Sequence, residues 1–177
     1  MGNLKNSIGD KAKDSLARYA LAELVNIHDE SIEFEPIYRI IMNVEPIVVI
    51  NELEKFCDIT FEKPDCDYFK YDFYTEEEEG EIFIKNPSTS LPVGELQNFL
   101  FEFAKKHPEC EIDYIHGIEN LKALAKEEYC IGFIFDGMKK DELFPSVIKD
   151  GALPRKTFSM GHADDKRFYL ECRKISD

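Results

Sequence analysis

From residue 32 to residue 150 the apolar positions of this chain switch repeatedly between period two and helical spacing, and each switch marks a new element. IEFEPIYRII, 32–41, alternates and predicts a strand, with Pro36 marking an edge or a kink. Upstream, YALAELVNI, 19–27, fits strand or helix by periodicity alone. Its β-branched end and the HDES turn that closes it favour strand. Between Glu45 and Phe56, Pro46 occupies a first-turn position and Ile47, Ile50 and Leu53 fall at helical spacing, which predicts a short amphipathic helix. Period two returns in ITFE, YFKYDFYT and EIFIK. The last two read as a hairpin joined through EEEEG, with Gly80 supplying the turn and Glu76 to Glu79 in solvent. Adjacent carboxylates on such a tip do not converge on a metal without further ligands, so no metal site is expected there.

NPSTSLP, 86–92, reads as a loop. Leu96, Phe99, Leu100 and Phe103 then lay an apolar stripe along a helix from Val93 to Lys106, ended by Pro108. EIDYIHG predicts a strand, IENLKALAKE a helix and YCIGFIFDG an apolar strand. Asp141 to Lys149 reads as a helix with Pro145 crowded into its early part and Gly151 stopping it. Phe168, Leu170 and Cys172 alternate with Arg167, Tyr169, Glu171 and Arg173 in a final half-buried strand. Helix and strand alternate through the second half, the signature of an α/β layer with crossover connections, while the first half is richer in hairpins. The expected class is α/β to α+β, a mixed sheet with helices. Residues 1–17 form a polar lead-in, and 18–177 a single domain.

The composition narrows the functional classes. No run of apolar residues approaches the length of a membrane span, and the polar N-terminus has no secretory core, so a cytoplasmic address is expected. The net charge of −14 argues against nucleic acid as a partner, because phosphate backbones need a basic face. That charge is unevenly spread: residues 153–174 carry six Lys/Arg against three Asp/Glu, a basic island in an acidic chain. The five cysteines contain no C-x-x-C pair, which removes the signal for a zinc knuckle or a redox dithiol, and scattered free thiols suit a reducing compartment. Neither G-x-S-x-G nor H-E-x-x-H occurs.

The island carries the candidate chemistry. Arg155, Lys156, Thr157, Ser159, Gly161, Lys166 and Arg167 combine guanidinium forks, ammonium charges, hydroxyls and a glycine-flanked backbone, the ingredients of an anion nest. An extended segment would show Thr157, Ser159 and Gly161 on one side and Lys156, Phe158 and Met160 on the other. Its spacing matches neither a Walker loop nor a dinucleotide glycine fingerprint. A surface loop whose basic residues pair with the acidic body would explain the same residues. Two histidines are candidates for proton transfer. His116 shares a strand face with Ile112 and Tyr114 and precedes Gly117 and a helix N-terminus; His162 lies inside the basic segment.

The blocks ARYALAELVNIHDESIEFEPIYRII, LPVGELQNFL, IDYIHG, ELFPSVIKDGALPRKTFSMG and KRFYLECRKI resemble, in order, the C-terminal part of domain-of-unknown-function family 1015. The resemblance implies a cytosolic bacterial or archaeal protein of unassigned function, of which this chain is the C-terminal portion. It also implies an upstream Asp-Gly-His-His or Asp-Gly-Asn-His motif, similar to the phosphate-handling motif of ParB-like and serine-kinase-like proteins. This chain lacks that motif, so no catalytic residue carries over from it. What carries over is Pro154, Lys156, Thr157, Ser159 and Lys166, placed by the resemblance near one cleft. The reading favoured is an anion-binding loop, for phosphate or nucleotide, within a phosphate-handling enzyme such as a small-molecule kinase. Its alternative is a non-catalytic interaction or dimerisation module, with a homo-oligomer as partner.

Overall fold

Strand β1 (Phe34–Met42) is the spine of the structure, a computed structural model that describes residues 9–10 and 24–160. It is joined by β2 (Ile59–Thr60), β3 (Tyr68–Tyr74), β4 (Glu79–Lys85), β5 (Glu111–His116), β6 (Ile131–Phe135) and β7 (Phe158–Met160) in a seven-stranded sheet of order β2-β4-β3-β6-β1-β5, with β7 also pairing β1. Among the described residues four helices accompany them: α1 (Pro46–Phe56), α2 (Pro92–Lys106), α3 (Ile118–Leu124) and α4 (Leu143–Asp150), the last entered through a 3-10 turn at Lys140–Glu142. The class is mixed α/β. The expected final strand, His162, Gly161, Lys166 and Arg167 lie outside the described residues, as does most of the strand expected at 19–27, whose described residues 24–27 are not in a strand.

Every neighbouring pair in the sheet is antiparallel. The crossovers expected from the sequence are nevertheless present. β5 and β6 both run against β1 and therefore run the same way, so the β5–α3–β6 unit is a crossover split by β1 between its two strands. β4–α2–β5 spans the sheet in the same manner. Pro36 sits in an interior strand, at the point where β1 changes partner: Ile37 faces His116 of β5, whereas Pro36 faces Phe158 of β7. The missing proline N–H falls where one ladder stops and the next begins, and Phe34 stacks on Phe158 with ring centroids 3.9 Å apart.

The hairpin between β3 and β4 forms where the alternation places it, but Gly80 does not make its turn. The Thr75 hydroxyl accepts from the Glu78 N–H at 3.0 Å and donates to the Glu78 carbonyl at 3.0 Å, and the Thr75 N–H donates to that carbonyl at 2.9 Å, so Thr75 and Glu78 close the loop between them. Gly80 lies in β4 opposite Phe73, whose ring covers it; a Cβ there would come within 2.7 Å of Phe73 Cε1. Pro145 falls in the first turn of α4, where its missing N–H costs no helical bond.

Cross-strand partners share a face, so Phe73, Phe133, Arg39 and Tyr114 form one row across the sheet. Helix α2 covers this face: the Tyr71 hydroxyl donates to the Pro92 carbonyl at 2.8 Å, and Leu96, Phe99, Leu100 and Phe103 are buried. Helix α1 packs beside α2 through Phe56 and Phe99, with Val49 and Leu53 buried and Ile47, expected inward, exposed. Helix α3 lies on the opposite face, Leu121 pressed against Gly132.

Glu52 of α1 accepts from Lys55 and from Lys106 of α2, each at 2.8 Å. The Lys106 bond first, then that of Lys55, holds its carboxyl well below the usual range, at about 2. A depressed carboxylate stabilises the fold fully above its unfolded pKa, and that contribution is lost as pH falls through the folded value. The expected result is that Glu52→Gln lowers Tm at neutral pH and flattens the fall in Tm between about pH 4.5 and about pH 2. A melting series across that window checks it.

Candidate functional site

Arg39 should not be where it is by hydrophobic pattern alone. Ile37, Arg39 and Ile41 share the face that packs under α2, and Arg39 is 0% exposed. Its burial is made tolerable by donation in every direction. Nε donates to Gln97 Oε1 at 3.2 Å, Nη1 to the Ile37 carbonyl, and Nη2 to the carbonyls of Arg155 at 2.9 Å and Lys156 at 3.1 Å. The guanidinium also lies 4.5 Å from the centroid of the Tyr114 ring. Burial is the main cause that lowers its pKa to about 10; Tyr114 opposes the shift, and the like charge of Arg155 adds to it. At neutral pH the group is fully charged. Among the described residues its bonds go to carbonyl and amide oxygens, with no carboxylate among them.

This clamp fixes the basic segment. Residues 155–156 form a turn, and the Thr157 hydroxyl donates to the Pro154 carbonyl at 2.7 Å. Lys156 has φ of 58°, a left-handed conformation that turns reserve for Gly or Asn at their third position. Arg155 and Lys156 are both exposed, and the Arg155 guanidinium lies 5.1 Å from the Tyr114 centroid, so two arginines share one ring. Thr157 and Ser159 are buried: their side of the segment faces the protein, and the cationic side faces out. Thr157 has spent its hydroxyl on the turn.

His116 lies on the same sheet face as Tyr114, two residues or about 7 Å further along β5. It is half-buried, and its carbonyl accepts from Asn120 Nδ2 at 2.8 Å. Because β1 passes from His116 to Phe158 in successive residues, the structure brings His116, Tyr114 and the 155–159 segment to one region of the sheet. Arg39, Gln97 and Tyr114 were not singled out by sequence patterns. The available signal was Arg39 itself, an arginine between two isoleucines on the apolar face of an alternating strand.

The thiols contribute little here. Burial pushes the Cys57 thiol up to about 12, reinforced by Glu95 and Asp58, and burial likewise raises Cys110 and Cys130. Helix α2 also carries the buried Glu95, whose carboxylate accepts from the backbone N–H groups of Ser88 and Thr89 at 3.1 Å each and from the Ser88 hydroxyl. That carboxylate organises the 86–91 loop. No helix among the described residues is long and apolar enough to cross a membrane. No protein-family model, curated protein or solved structure matches this chain.

Proposed function

We propose that this chain binds a small anion, a phosphate group or a phosphate-bearing metabolite, on the Arg155–Lys156 turn, and that it serves as the anion-holding part of a phosphate-handling enzyme such as a small-molecule kinase. One observation carries the reading: a buried guanidinium, unpaired with acid among the described residues, is used to hold two exposed cations on a turn. A buried charge is costly unless its donors are satisfied, and here two of its bonds are made to the carbonyls of the turn. Here it adds positive potential beneath Arg155 and Lys156 in a chain that is otherwise strongly acidic. An incoming phosphate would meet preset donors and relieve like-charge repulsion. His116, on the neighbouring strand end, is the proton-transfer candidate of this arrangement.

Calorimetric titration with inorganic phosphate tests it. The expected dissociation constant is on the order of 1 mM, weakened at least tenfold by Arg155→Ala. An unchanged isotherm in that variant would sink the reading. Lys156→Gly adds an independent check. Relief of the left-handed strain is expected to stabilise the fold by up to about 1 kcal/mol while weakening phosphate binding. Higher stability with undiminished affinity would mean that the lysine serves no ligand.

A second reading, an association module, is favoured by α4. Phe144, Val147 and Ile148 form an exposed apolar stripe, Ile148 at 84% exposure. Sedimentation would show concentration-dependent association abolished by Ile148→Glu, and a monomer at high concentration would exclude it.

A further inference from the structure

We infer that the groove beside the Arg155–Lys156 turn receives a planar aromatic ring attached to the anion, so that the ligand is of nucleotide type and not a bare phosphate. The inference rests on the anion reading above. The groove has a volume of about 580 Å³, within the range of small-molecule sites, and is lined by Phe56, Gln97, Asn98, Phe101, Tyr114 and Arg155.

Three features give it that chemistry. First, its aromatic rings come from three elements, α1, α2 and β5, and two of them are uncovered: Phe101 is 62% and Phe56 41% exposed. Lys105 Nζ lies 3.9 Å from the Phe101 ring centroid, which adds a cation beside the exposed ring. Second, Gln97 is oriented. Arg39 can only donate, so the Gln97 oxygen must face it, and the amide –NH2 is left as a donor to a carbonyl or ring nitrogen. Third, the anion anchor is part of the same groove through Arg155, whose guanidinium is held at the Tyr114 ring. The lining carboxylate, Glu102, is engaged by Lys105 at 2.7 Å, which reduces its repulsion of an anion. Stacking faces, a fixed donor and a cation within one groove match a base, its polar edge and its phosphate.

The test uses three probes on the full chain: inorganic phosphate, ribose 5-phosphate and adenosine monophosphate. The nucleotide is expected to bind at least tenfold more tightly than ribose 5-phosphate, and Phe101→Ala to remove that advantage while leaving the affinity for ribose 5-phosphate unchanged. Phe101 is exposed, so its truncation should leave the melting temperature in place. The chain contains no tryptophan, so Phe101→Trp places a single indole in the groove. Its fluorescence should be quenched by the nucleotide and not by ribose 5-phosphate. If phosphate and ribose 5-phosphate bind but the nucleotide gains nothing, the ring site is overturned and the anion reading stands. If no probe binds, both fall.

Discussion

Arg39→Met should leave the sheet folded, lower stability by about 1–3 kcal/mol and weaken phosphate binding about tenfold, although Arg39 touches no part of the ligand. Methionine fills much of the space under α2, so the packing loss is small. The carbonyls of Ile37, Arg155 and Lys156 and the amide oxygen of Gln97 lose their donor, each at roughly 1 kcal/mol where it stays buried. Removing a desolvated charge offsets part of that loss. Arg39→Ala adds a cavity and should cost more, about 3–5 kcal/mol. Urea unfolding of the two variants separates packing from donation, and amide hydrogen exchange at 155–157 should accelerate in both. Arg39 is a positioning residue in this scheme. Phosphate affinity that survives Arg39→Met with a loosened turn would remove it from the account.

Gly132→Ala is expected to cost about 2–3 kcal/mol, an unusually large effect for a single added methyl group. Gly132 lies in β6, where every residue is buried, opposite Ile40 of β1 and Tyr74 of β3. A Cβ there would stand 2.7 Å from Leu121 Cδ2 and 2.9 Å from its Cγ. Leu121 is 0% exposed and has no open space to swing into, so helix α3 or the strand must shift. This glycine therefore sets how closely α3 approaches the sheet. Leu121→Ala alone should cost about 2–5 kcal/mol, and the double variant should be less destabilised than the sum by more than about 1 kcal/mol, because each change makes room for the other. Strict additivity in urea unfolding would show that the two side chains do not compete for space.

What was legible in the sequence follows from what is local. The stripe of Leu96, Phe99, Leu100 and Phe103 announces α2, and the alternation of YFKYDFYT with EIFIK announces the β3–β4 hairpin, since period and turn chemistry act over a few residues. The turn was misassigned because glycine is the usual turn residue. Here Thr75 and Glu78 close the loop between them, and Gly80 is needed to make room for the Phe73 ring. Sheet order was not legible. Helix–strand alternation predicts crossovers, and they exist, but the insertion of β1 between β5 and β6 is decided by pairing across some ninety residues of chain.

The candidate site divides along the same line. Arg155 and Lys156 were visible as charge in an acidic chain, and His116 as a polar residue at a strand end. What ties them together was not. Arg39 reaches the 155–156 carbonyls from more than a hundred residues away, and a lone arginine in a strand ordinarily reads as a solvent-facing side chain. Thr157 and Ser159 have the right chemistry for a phosphate nest, yet burial turns both inward, a fact that alternation could not decide without knowing which side the body lay on.

The most direct test of the anion site is a phosphate titration followed by ¹H–¹⁵N correlation spectroscopy of the full chain. The amides of residues 155–157 and Tyr114, together with the Gln97 side-chain –NH2, should move along one saturable isotherm, and Arg155→Ala should abolish the movement. If those signals stay fixed up to roughly twenty times the expected dissociation constant, or if the shifts fall elsewhere on the molecule, the Arg155–Lys156 turn is not an anion site.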